Sequence, residues 1–133
     1  MKRTLPAILF LGFGLFVMTK PILAHHSEAA EYDPTKPVKV TGTIKTVEWK
    51  NPHVWFYVDV KDENGKVTTW GFSTSPPGML LRRGITKDVF KIGAVVNVEG
   101  SRARDGSNNG TGRKVTFADG RNVITAAGEE GGR

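Results

Sequence analysis

The stretch Asn51–Val60, NPHVWFYVDV, decides the fold. Its residues Val54, Phe56, Val58 and Val60 recur at every second position, with His53, Trp55, Tyr57 and Asp59 between them. Successive side chains of a strand point to opposite faces, so this period of two reads as a strand whose valine face is core. Next, DENG (Asp62–Gly65) supplies an Asn-Gly hairpin turn. KVTTWGFS then returns with Trp70 and Phe72 on one face. Upstream, VKVTGTIKTVEW sets Val38, Val40, Gly42 and Ile44 on one face before the apolar phase slips to Val47 and Trp49. A phase slip beside a glycine within a strand predicts a bulge or a sharp bend.

Downstream, SPPGMLLRRGITKDVFKIG breaks the two-residue period. Thr86 is placed to cap a short helix ahead of Asp88, and Gly93 fits its end. AVVNVEGSRAR reads as a fourth strand with Val96 and Val98 inward, DGSNNGTG as a flexible loop, and RKVTF as a fifth strand. Asp119-Gly120 turns into RNVI, and residues 127–133 form a tail. Three meandering strands, a helical connection and two further strands follow the plan of the OB barrel, and a bent first strand lets a small sheet curl until its edges meet. The expected fold class is therefore all-β with one short helix, a five- to six-stranded OB-like barrel over residues 38–126. An SH3-like barrel or an open sandwich fits the same strands. Residues 25–37 read as a polar lead-in, where Ser27 could cap a helical turn that Asp33-Pro34 ends.

The N-terminus reads as a cleavable signal helix over residues 1–24. MKRT carries two bases and no acid, Leu5–Met18 has no charge, and TKPILA ends on a small residue. A membrane-spanning helix needs about 20 apolar residues, and this run is shorter and interrupted by Pro6, Gly12 and Gly14. The expected location is periplasmic or secreted, with no stable anchor after cleavage. Of the 19 Lys and Arg, three precede Ala24, whereas all 13 acids follow it; the mature charge falls from +6 to +3. That balance does not call for nucleic acid or a membrane surface. Cysteine is absent, which excludes disulfides and thiol redox chemistry.

Two constellations carry candidate chemistry. A cut after Ala24 makes His25 the first residue, so its α-amine and imidazole could chelate one metal, with His26 and the distant His53 as co-ligands. Such a nitrogen-rich set suits copper(II). A cut after Ala29 would remove both members of the pair, and paired histidines are otherwise a solvated tail. The second constellation is the outward stripe of Trp55 and Tyr57, which together with Arg102, Arg104 and Arg113 would form a contact surface for a protein or small ligand. The competing expectation is that the lead-in, Ala29–Pro37, packs over the stripe, which would also bring His25 or His26 towards His53. Catalytic signals are thin: the chain has no nucleophile elbow, no His-Glu-x-x-His and no phosphate-binding glycine loop.

The segments AHHS, EYD with KPV, GTI followed by VEWKNPHVWFYVDV, LLRRGITKD and KIGAVVNVEGSRARDGSNNG together resemble the exported bacterial proteins of domain-of-unknown-function family 6152. The resemblance runs from His25 to about Val123. It implies an exported, periplasmic small β-barrel and brings no catalytic residue with it. The chain departs from the pattern at Phe72–Ser75, where a more acidic stretch is expected.

Overall fold

The computed structural model describes residues 28–125; the leader, His25, His26, Ser27 and the 127–133 tail lie outside the described residues. The described elements are a helical turn α1 (Glu28–Glu31), β1 (Tyr32–Glu48), β2 (Trp55–Lys61), β3 (Val67–Ser73), α2 (Pro77–Arg82), a 3-10 turn (Lys87–Val89), β4 (Val95–Ala103), β5 (Asn109–Thr111), β6 (Lys114–Phe117) and β7 (Asn122–Ile124).

Five of the strands close on themselves. The order runs β1-β2-β3-β5-β4, and β4 pairs back onto β1, so these strands form a ring; β6 and β7 extend the sheet from β4. Every pairing is antiparallel except β3–β5. The bend expected near Ile44 is present as a register shift between Ile44 and Thr46 in the β1–β2 pairing. It lets one long strand serve two neighbours: Tyr32–Thr43 against β4 and Thr43–Glu48 against β2. The Asp62 carboxylate fixes the β2–β3 hairpin by accepting from the backbone of Asn64 and Lys66, each at 2.9 Å.

The core follows the period of two. Val54, Phe56 and Val58 are wholly buried, as are Phe72 and Val98, while Trp55, Tyr57 and Asp59 are only partly covered. Phe90, which follows the 3-10 turn, fills the middle; its ring lies 5.2 Å from that of Phe56 and 6.3 Å from that of Phe117. Burying each such ring stabilises the fold by about 1.5–3 kcal/mol.

Three sequence expectations change. The α-helix of the connection is Pro77–Arg82, not a helix opening at Thr86 and ending at Gly93. Pro77 sits in the first turn, where its missing N–H has no partner to lose, and buried Leu80 anchors the helix. Thr86 precedes only the 3-10 turn and its hydroxyl caps nothing. Secondly, pairing on β1 starts at Tyr32 instead of Val38, with an irregularity between Asp33 and Pro37 where two prolines lack the N–H a ladder needs. Thirdly, DGSNNGTG is not all loop: its Asn109–Thr111 is β5, the strand that closes the ring. The described strands number seven, five of them in the ring and two extending it.

Closure depends on close backbone approach. A Cβ on Gly100 would overlap the Thr111 carbonyl, so only glycine lets β4 and β5 meet there. The Ser101 N–H donates to Thr111 Oγ1 at 3.0 Å, a side chain standing in for a ladder acceptor. Thr125 then latches the end of the ring: its carbonyl accepts from the Ser75 N–H at 3.0 Å and Ser75 Oγ at 3.1 Å, and its hydroxyl donates to the Gly112 carbonyl.

Candidate functional site

His53 ends the β1–β2 loop, one residue before the buried Val54. Backbone bonds continue the β2–β3 ladder past the strand ends, Thr74 N–H to the Val54 carbonyl at 2.9 Å and Val54 N–H to the Ser75 carbonyl at 3.2 Å. That extension holds the half-buried His53 on the outward side, with Nδ1 2.9 Å from the Thr74 carbonyl oxygen. A carbonyl can only accept, so Nδ1 carries the hydrogen. In the neutral ring Nε2 then keeps its lone pair, the arrangement in which a histidine is oriented to take a metal.

The lead-in docks on β4. Arg104 holds it from three directions: its N–H donates to the Glu31 carbonyl at 2.9 Å, its Nε to the Ala29 carbonyl at 3.0 Å, and its guanidinium lies 3.7 Å from the Asp33 carboxylate. These contacts satisfy carbonyls that a short helical turn leaves open. Arg113 pairs with Glu28 at 3.7 Å. Tyr32 is buried to 6% exposure, and its hydroxyl is hydrogen-bonded to the Ser73 side chain. Burial pushes the Tyr32 phenol above its ordinary value, against the opposing pull of Ser73 and with help from Glu31, Glu28 and Asp105. The Asp33 carboxyl is held below its usual range by the Thr35 hydroxyl and N–H, and further by Arg104 and Lys36.

A short path of contacts links Glu28 to His53. Arg113 follows Gly112, whose N–H donates to the Ser73 carbonyl at 2.8 Å, and the next residue, Thr74, carries the carbonyl that His53 engages. His25 and His26, three and two residues ahead of Glu28, fall outside the described residues. Among the described residues no group of three or more His, Asp or Glu side chains is placed to hold a metal ion.

The aromatic stripe stands where the period of two puts it. The Trp55 and Tyr57 rings are 6.3 Å apart with planes 21° from parallel, and both remain partly exposed. Among the described residues the lead-in pairs with β4 at Ala103 and Arg102, and Tyr32 lies at Ser73, the cross-strand neighbour of Trp55.

The three arginines named beside the stripe each have partners within the chain. Arg102 lies over the Trp70 ring at 5.5 Å and donates to the Gly106 carbonyl at 2.9 Å, tying down its own loop. Arg104 and Arg113 hold the lead-in. Tyr32 and Thr125, which decide where the two ends of the described chain sit, escaped the sequence reading. An aromatic inside the polar EYD segment was the available signal for Tyr32; nothing comparable marks Thr125.

A model of a family of unknown function, DUF6152, matches residues 14–114. No curated protein and no solved structure matches the chain. The chain belongs to that family.

Proposed function

We propose that this member of a family of unknown function is an exported binding module, an OB-type barrel that takes up a copper ion where the lead-in meets His53. The strand order β1-β2-β3-β5-β4 with return to β1, the parallel β3–β5 closure and α2 between β3 and β4 support the OB assignment. The basic, apolar and small-residue order of the leader supports export.

The observation that carries the metal reading is the clasp of Arg104 and Arg113 on α1. It ties Glu28 to Arg113, so a chain cut after Ala24 begins three residues from a held position. His25 then offers an α-amine and an imidazole, with His26 and the Nε2 of His53 as further nitrogens. Donors of this kind prefer copper(II) over zinc(II) or nickel(II). Ordinary pKa values of about 8 for the amine and about 6.5 for imidazole mean that copper competes with protons and that affinity falls as the pH drops through that range.

The test is N-terminal sequencing of the processed protein, followed by copper(II) titration with calorimetry and electron paramagnetic resonance. The expected result is a chain beginning at His25 and a nitrogen-rich copper signal, with binding lost in the His25→Ala/His26→Ala double variant. The His53→Ala variant keeps weaker binding with an altered spectrum. A mature chain starting after His26, or a double variant that binds copper as well as the wild type, ends the proposal. Protein beginning with an added methionine displaces the α-amine and is unsuitable.

A further inference from the structure

Beyond the metal reading, and independent of it, we propose that the face carrying Trp55 and Tyr57 binds a neutral, flat glycan chain. The inference starts from how the rings are exposed. Both project from the outward side of β2, with ring centroids 6.3 Å apart and planes 21° from parallel. On β3 their cross-strand neighbours are short, Ser73 and Gly71, while on β1 Thr46 stands opposite Tyr57 and Glu48 opposite Trp55. Nothing tall rises from β3 beside them.

Gly71 is the feature that shapes this face. A Cβ there would stand 2.5 Å from Asn109 Oδ1 and 3.1 Å from Tyr57 Cε1. Its absence leaves space at Gly71 that the Tyr57 ring and the Asn109 amide both border, so an aromatic ring and a hydrogen-bonding group flank the same backbone position. Asn109 is itself steadied by a 3.1 Å bond from Nδ2 to Ser107 Oγ. At the far end of the stripe, Asp59 accepts the Thr69 hydroxyl at 2.5 Å.

Charge selects among ligands that stack on aromatic rings. Beside the stripe Lys45 lies 3.6 Å from Asp59 and Lys50 lies 3.1 Å from Glu48, so these two cations are matched by two acids. Arg102 is turned into its own loop, and Arg104 and Arg113 are engaged with the lead-in. A single-stranded nucleic acid needs a positive groove along its phosphates in addition to stacking platforms, and this face has none. A pyranose chain with equatorial substituents fits better. Its axial C–H bonds lie on the ring faces, and its hydroxyls meet Asn109, Asp59 and Glu48. It carries no charge to match. The β2–β3 face is also where OB barrels bind oligosaccharides.

The test uses the processed protein, with chelator present, titrated with chitohexaose and with cellohexaose while tryptophan fluorescence and binding heat are followed. At least one hexasaccharide is expected to bind saturably, with an affinity unchanged between low and high salt. Trp55→Ala and Tyr57→Ala are each expected to weaken that binding about tenfold or more, as loss of one stacking partner does. Trp55→Phe, which keeps a ring and guards against a folding defect, retains part of it. Failure of both sugars to bind overturns the inference, as does unchanged affinity in the two alanine variants. Tighter, salt-sensitive binding of an oligo-dT strand would replace it with a nucleic-acid surface.

Discussion

β2 and β5 both pair with β3 in the same ring, yet different physics holds each of them. β2 has seven residues, partners along its whole length on β3, and buries Phe56 and Val58 completely. β5 has three residues, meets β3 at Gly71–Ser73, and has one ladder pair with β4, Arg102 with Gly110. The first is held by side chains in a core and the second by how closely backbones can approach. The comparison predicts that β2 fails when a ring is removed and β5 fails when an atom is added.

The largest effect should come from Phe56→Ala. Its ring lies 5.5 Å from Phe72 and 5.2 Å from Phe90, so truncation empties the centre of the core. Replacing a buried phenylalanine by alanine costs about 3–5 kcal/mol, against a total stability of about 5–15 kcal/mol for an ordinary domain. Urea unfolding should show a midpoint near zero denaturant or no folded protein. A loss under about 1 kcal/mol would mean that β2 is not held by its core face.

Gly100→Ala is the matching test of β5. The added methyl overlaps a backbone carbonyl, which cannot swing aside as a flexible side chain can. A loss of about 2–3 kcal/mol is expected, in the upper part of the range for overpacking. Amide exchange should quicken at Gly110 and Thr111 more than at Phe56 and Val58. Uniform quickening across both strands would show that ring closure and core are one cooperative unit, and would break the comparison.

The same contrast explains what could be read from the sequence. Val54, Phe56 and Val58 announce β2 because a half-buried strand needs an apolar residue at every second position. It also gave the outward placement of His53, Trp55 and Tyr57, since one parity fixes both faces. In β5 no apolar period exists: Gly110 is buried because a Cβ would stand 2.9 Å from the Ser101 carbonyl, and Thr111 is buried because its hydroxyl serves Ser101. Glycine, asparagine and threonine are loop residues by composition, and only the arrival of β3 and β4 makes them a strand. The intramolecular partners of the arginines are hidden for a related reason. Charge marks where a cation occurs along the chain, whereas the carbonyls and carboxylates of α1 that engage Arg104 and Arg113 are brought there by the fold.

The smallest effect separates the lead-in from both strands. It is held by Tyr32 at Ser73 and by Asp33 beside Thr35 and Arg104, so its docking should follow the protonation of those two groups. Tyr32 has its folded pKa raised, so its contribution is complete below its ordinary value near 10 and is lost as the pH rises through the higher folded value. Asp33 has its folded pKa lowered, so its contribution is present above the ordinary carboxylate value and is lost as the pH falls through the lower folded one. Amide exchange at Tyr32 and Asp33 should therefore stay slow across neutral pH, after correction for the intrinsic rate, and quicken at both extremes. Tyr32→Phe removes the hydroxyl and its bond to Ser73, a loss of about 1 kcal/mol at pH 7. The variant should also lose the alkaline limb while keeping the acid one, because a phenyl ring has no proton to give up. A variant whose alkaline limb persists would place the high-pH loosening on another group, and the lead-in would then be held by its arginines alone.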